Sequence, residues 1–236
     1  MNWVVNNLGQ VGQLTLAHLA IALPPIVLSF VISVPIGWLA NRLRLSRGIL
    51  RWASGALLTL SGLLYAIPSA PLFFALPAII GTGLRDPVNV VVGLTLYGIA
   101  LMVRTSADGL AALDPDVLQS ATAVGYSNWS RFWRVEFPLA APVLLAGLRV
   151  VAVSTVSLTT VGAVLGISSL GILFTDGFQR GIAAEIATGI VVTMAIALVI
   201  DAILVRVGRL LMPWVRVTSR LGGVRESRRV KQAVVT

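Results

Sequence analysis

Apolar residues run through this chain in long blocks, with the polar residues gathered between them. Five blocks are long enough to cross a hydrocarbon core, which takes roughly twenty helical residues: Leu14 to Ala40, Arg51 to Ile80, Val88 to Val103, Leu139 to Leu165 and Ile182 to Leu211. The second contains Pro68, Pro71 and Pro77, which divide it and leave a count of five or six spans. Between the third and fourth blocks lies a polar, amphipathic island, Asp114 to Pro142. Asp114 is a natural N-cap and Pro115 suits the first helical position, where its missing N–H costs nothing. Val117, Leu118, Ala121 and Val124 then repeat at helical spacing until Gly125 offers a stop. Ser127 is placed to cap a second helix, with Trp129, Phe132 and Trp133 on one face and Arg131 and Arg134 pointing elsewhere. Pro138 and Pro142 are expected to end it. Each piece is about ten residues, too short to span, so the pattern predicts a helix-turn-helix at a membrane surface. It either lies passively on headgroups or presents a docking face.

Composition sharpens this picture. The chain is 57% hydrophobic and 11% charged, with a mean hydropathy of +0.92, which predicts an all-α integral membrane protein. Eighteen Lys and Arg against nine Asp and Glu give a net charge of +9, but the basic residues collect at the ends of apolar runs. That is the signature of membrane topology rather than of nucleic-acid binding. Placing Arg42, Arg44, Arg47, Arg51, Arg104, Arg131, Arg134 and the basic residues from Arg206 to Lys231 on the cytoplasmic face, with Arg149 within the fourth span, leaves only Arg85 and Arg180 outside. This favours five spans, an outside N-terminus, a kinked second helix and a cytoplasmic island. No Lys or Arg precedes Arg42, so a cleavable signal peptide is not expected and the first span is read as retained. Cys is absent, which excludes disulfides and thiolate metal sites. The single His18 is read as interfacial.

Several features fall inside the spans. Pro24, Pro25 and Pro35 in the first, and the proline group of the second, bend helices and free carbonyls, which marks pathway walls or ordinary membrane packing. Gly162 and Gly166 form a small-xxx-small pair suited to close helix approach. Arg149 and Asp201 each lie about ten residues from the cytoplasmic end of their span, at similar depth given a rise of about 1.5 Å per residue. They either pair, fixing span four to span five, or snorkel separately. Gly166 to Glu185 is a Gly-rich outward segment that receives a partner or merely connects two helices. The chain thus divides into a membrane domain, 1–212, containing the island segment 114–138, and a basic cytoplasmic tail, 213–236.

Some chemistry has no sequence support. There is no Gly-rich loop ending in Gly-Lys-Ser or Gly-Lys-Thr, no metal-spaced His/Asp/Glu cluster and no nucleophile elbow. Asp201 alone is not the acidic relay of a proton pump. A transporter built this way takes its energy from a partner or conducts passively.

The island resembles the cytoplasmic coupling segment, or EAA loop, of binding-protein-dependent ABC importer permeases. That pattern has Glu-Ala-Ala, a Gly four residues beyond the last Ala, and a later Pro. Here Gln119-Ser120-Ala121 precede Gly125 at the same spacing, and Phe132, Pro138 and Pro142 follow in place. Gln119 and Ser120 depart from the usual Glu and Ala, so a salt bridge made by that Glu is not carried over. The runs VEFPLAAPVLLAGLR and SSLGILFTDGFQRGIAAEI look like the osmoprotectant branch, which imports glycine betaine, choline and carnitine. The resemblance covers roughly Leu14 to Leu211. It implies a type I importer permease in a bacterial-type cell membrane, with Asp114, Pro115, Gln119, Ser120, Ala121, Gly125, Phe132 and Pro138 serving the coupling segment. It also implies a cytoplasmic ATPase dimer, a second permease subunit of the same or related sequence, and an extracytoplasmic substrate-binding protein. No cofactor is expected in this chain, ATP and Mg belonging to the ATPase, and no catalytic residue or metal site. Tyr65, Pro68, Phe73, Phe74 and Tyr97 are pathway candidates, the aromatics offering cation–π contacts to a quaternary ammonium or simply packing the bundle. A self-contained channel or secondary carrier, or a membrane scaffold, is the competing function.

Overall fold

The computed structural model describes residues 2–44 and 48–214; Arg47 and nearly all of the basic tail lie outside the described residues. Those described form ten α-helices: α1 (Asn2–Asn6), α2 (Leu8–Arg44), α3 (Ile49–Ala66), α4 (Ser69–Ile80), α5 (Pro87–Ala111), α6 (Pro115–Ala123), α7 (Asn128–Arg131), α8 (Phe137–Thr159), α9 (Ile172–Arg180) and α10 (Ala183–Leu211). A π-turn, Phe132–Glu136, joins α7 to α8, and a 3₁₀ turn, Thr160–Leu165, prolongs α8. Four apolar helices are long enough to cross a membrane: α2, α5, α10 and the continuous run from Asn128 to Leu165. The pair α3–α4 reaches that length only jointly, and it is bent by 105°.

Helix α5 is the centre of the bundle, packed by α2, α8, α3 and α4. Lipid tails are as apolar as Leu, so close backbone approach rather than a hydrophobic driving force holds such helices together. Small residues make that approach possible. A Cβ on Gly37 of α2 would lie 2.9 Å from the Ala107 nitrogen, and one on Gly98 of α5 would lie 2.5 Å from Cβ of Ser29. Around these crossings Leu94, Met102, Val103 and Leu144 are fully buried. Helix α5 starts cleanly because the Asp86 carboxylate accepts from the Val88 N–H at 2.9 Å and Pro87 follows it.

Helix α10 is the outermost span, resting on α8 and α9 and exposing Ile190, Met194, Leu198 and Ile203.

Four expectations change. The second apolar block is not a kinked helix but two helices meeting near a right angle at Ile67-Pro68, both in extended conformation; proline disfavours helix at the residue before it. Pro138 and Pro142 do not end the island's second helix, which passes through both into span four. The π-turn explains this: Phe137 N–H reaches back to the Phe132 carbonyl, and the widened turn gives room for the ring of Pro138, which would otherwise clash with the preceding turn. Gly162 and Gly166 do not form one packing pair. Gly162 does take a close neighbour, Val90, but Gly166 has φ 76° and terminates the 3₁₀ turn. His18 is not interfacial: it is fully buried, 3.1 Å from the Val156 carbonyl through Nε2.

Candidate functional site

The island folds as a hairpin whose first arm stands free. Asp114 caps α6 by accepting from the Asp116 N–H at 2.9 Å, and Pro115 opens the helix. At the far end the Gly125 N–H donates to the Thr122 carbonyl and the Tyr126 N–H to the Ala121 carbonyl, with Gly125 at φ 96°. That is a Schellman stop, in which the left-handed residue is cheapest as Gly. A Cβ on Gly125 would meet nothing within 4 Å, so its requirement is conformational and not steric. No residue of α6 is buried. The apolar stripe read from the sequence therefore divides: Leu118 and Ala121 are partly covered, while Val117 and Val124 face outward, Val124 at 79% exposure. Gln119 and Ser120 are exposed as well.

The second arm is anchored. Phe132 is 3% exposed and contacts Trp38, Trp129, Trp133 and Phe137 at ring-centroid distances from 5.0 to 6.3 Å. Beside it lies a carboxylate the sequence reading assigned no role. Glu136, in the π-turn, is 4% exposed and accepts from Arg131 Nε at 2.8 Å, Trp38 Nε1 at 3.2 Å and Arg42 Nη2 at 3.4 Å. Arg131 also donates to Thr122 Oγ1 at 2.7 Å, and Arg42 to Asn128 Oδ1 at 3.0 Å. Arg42 further stacks over the Trp38 ring at 5.0 Å. One buried carboxylate thus ties together the end of α2, the free arm α6 and the root of span four. Charge-assisted bonds of this kind are the stronger ones. A signal existed in the sequence, an acid directly before Phe137-Pro138 with Arg131 five residues upstream, but nothing in it named Trp38 or Arg42 as partners.

The intramembrane candidates come together in part. Arg149 and Asp201 make a forked contact, Nε to Oδ1 at 2.6 Å and Nη2 to Oδ2 at 2.8 Å, joining α8 to α10. Tyr65 and Tyr97 meet edge to face at 5.8 Å, and the Tyr97 hydroxyl donates to the Ile67 carbonyl freed by the α3–α4 break. Pro68 occupies the N-cap position of α4. Phe73 is fully buried against Gly93, where a Cβ would fall 2.5 Å from its ring; it is core packing. Tyr65 and Phe74 keep open aromatic surface. The segment Gly166–Glu185 is not a free loop: Ile167, Leu170 and Leu173 are buried, and Arg180 donates to the covered Glu185 at 2.7 Å.

The hairpin thus sets an exposed, capped helix on a multi-span bundle, tied to the root of one span. Over residues 33–217 the chain matches the family described as binding-protein-dependent transport system inner membrane component, and it belongs to that family. It is 28% identical over 216 residues to the osmoprotectant import permease protein OsmW of Salmonella typhimurium, covering 90% of this chain and 97% of the relative. It is 27% identical over 214 residues to the glycine betaine/carnitine/choline transport system permease protein OpuCB of Bacillus subtilis, covering 90% and 94%. Among solved structures, a chain of the inward-facing MetNI methionine ABC transporter superposes with a TM-score of 0.73 at 21% identity, covering 84% of this chain and 94% of that one. The fold is that of a type I importer permease, and the chain is an ABC transporter permease subunit of the membrane. A self-contained channel or carrier is not favoured.

Proposed function

We propose that this chain is the membrane half of an ATP-driven importer of small osmoprotectants such as glycine betaine, carnitine or choline. The relatives' substrates and their near full-length match to this chain support that reading. The observation that carries the mechanism is the free arm α6, capped at both ends, unburied along its length and bonded through Arg131 and Glu136 to span four. A partner ATPase dimer, holding ATP and Mg, receives α6 in a cytoplasmic groove where Val117 and Val124 lose their exposed apolar surface. Closure of that dimer draws two such arms together, one from each permease subunit. The Glu136 cluster passes the displacement to the root of α8 and the end of α2 as one body, and the spans exchange inward-open for outward-open. A soluble binding protein delivers substrate at the opposite face. Five spans, counting α3–α4 as one, with the hairpin and tail in the cytoplasm, suit this arrangement. No group in this chain is required to react with nucleotide.

Stoichiometric co-purification with the partner ATPase tests the reading. Gly125→Val forces a β-branched residue to φ 96° and breaks the Schellman stop, so ATPase recovery is expected to fall sharply while the spans still insert. Undiminished ATPase binding by that variant would count against α6 as the docking element. Substrate uptake into vesicles holding this chain alone, without ATP, would overturn the importer reading itself.

A further inference from the structure

The Arg149–Asp201 pair is left open where polar groups are costly to expose. Asp201 lies ten residues before Leu211, the end of α10, about 15 Å along the helix from that end. The fork uses two of the five guanidinium N–H donors, and the other three meet no acceptor among the described residues. The two side chains nevertheless keep 41% and 26% of their surface. Against hydrocarbon each unused donor carries a desolvation penalty with nothing to offset it, so exposing this face to water or polar groups costs less than exposing it to lipid tails. A cavity of about 410 Å³ opens there, lined by Ala146, Arg149, Val150, Val153, Ser154 and Asp201. It is apolar except for the pair and one hydroxyl, and its walls belong to the middle of α8 and, through Asp201, to α10.

Resting on the importer reading above, we propose that Arg149 and Asp201 form a substrate station for small zwitterions within the translocation route. The unused N–H groups of Arg149 take the carboxylate of the ligand, the outer lone pairs of Asp201 face its ammonium, and Val150 and Val153 cover its methyl groups. Charge balance sets the class. A neutral pair joined by a neutral zwitterion gives four alternating charges and no net charge in a low-dielectric site, which keeps the cost of burial down. A cation without a carboxylate meets an Asp already neutralised by Arg149 and lies beside a like charge. Glycine betaine and carnitine engage both charges of this station, whereas choline, lacking a carboxylate, leaves the Arg149 donors unused and is held more weakly. A site built to hydrogen-bond one ligand group discriminates strongly against the analogue that lacks it.

Equilibrium binding of glycine betaine to the purified permease–ATPase complex, without the binding protein and with choline as competitor, tests the station. The wild-type complex is expected to hold glycine betaine at least about tenfold more tightly than choline. Arg149→Gln loses about tenfold or more in glycine betaine affinity, and the preference over choline with it. Val150→Trp, which fills the cavity and leaves both charges in place, abolishes binding in an intact complex. The proposal is overturned if the wild-type complex binds no glycine betaine, if choline binds equally well, or if either variant keeps wild-type affinity. ATPase co-purification of the same samples shows separately whether the importer reading stands.

Discussion

Glu136 and Asp201 are both carboxylates held by arginine from another part of the chain, yet their settings differ. Glu136 is almost wholly covered and draws donors from α2 and α7 at once. Among the described residues Asp201 has a single partner residue, and a quarter of its side chain stays open beside a cavity. A closed carboxylate with several donors fixes elements relative to one another, since releasing it strands every partner together. An open pair with unused donors fixes two helices and keeps bonding capacity for something that comes and goes. The same pairing of a carboxylate with arginine therefore makes a joint in one setting and a candidate station in another.

This contrast can be broken experimentally. Glu136→Ala should produce the largest effect, a loss of about 3 kcal/mol read as a lowered melting temperature in lipid nanodiscs, because Arg131, Arg42 and the Trp38 N–H lose their common acceptor. A melting temperature matching wild type would show that Glu136 is no joint. Next in size, Arg149→Gln and Asp201→Asn should each reduce the yield of folded protein, and the double variant should lose clearly less than their sum. Strict additivity would mean that the two charges act independently. Smaller still, Asp114→Ala removes a cap worth about 1 kcal/mol; faster amide exchange is expected across 115–124 with the spans unaltered, and unchanged exchange there would deny the cap its role. The mildest change is Thr122→Val, which removes the exposed Arg131 contact. A loss of roughly 0.5 kcal/mol and a looser α6 in the same exchange experiment are expected, and no difference in α6 would mean that this contact does not tie α6 to the Glu136 cluster.

Legibility in the sequence followed the range of the interactions. Asp114, Pro115, Gly125 and Ser127 could be read directly because caps and stops are satisfied within a few residues, and the structure places each in the predicted local geometry. The π-turn escaped because prolines at 138 and 142 signal a helix end as readily as a helix that widens to admit them. Phe73 looked like Phe74, and only the close face of Gly93 separates a buried ring from an open one. His18 looked interfacial because a sequence position near a span's start does not reveal which neighbour covers it.

By itself the sequence determined that the chain crosses a membrane several times and carries one amphipathic hairpin, since apolar run length and local capping depend on neighbours in sequence. Only the tertiary structure decided what those elements do to one another. Two of the three partners of Glu136, Arg42 and Trp38, lie 94 and 98 residues away, and Arg149 meets Asp201 across 52 residues. At such separations no pattern along the chain selects a partner; helix packing does, by bringing small residues into backbone contact and so fixing which charges face each other.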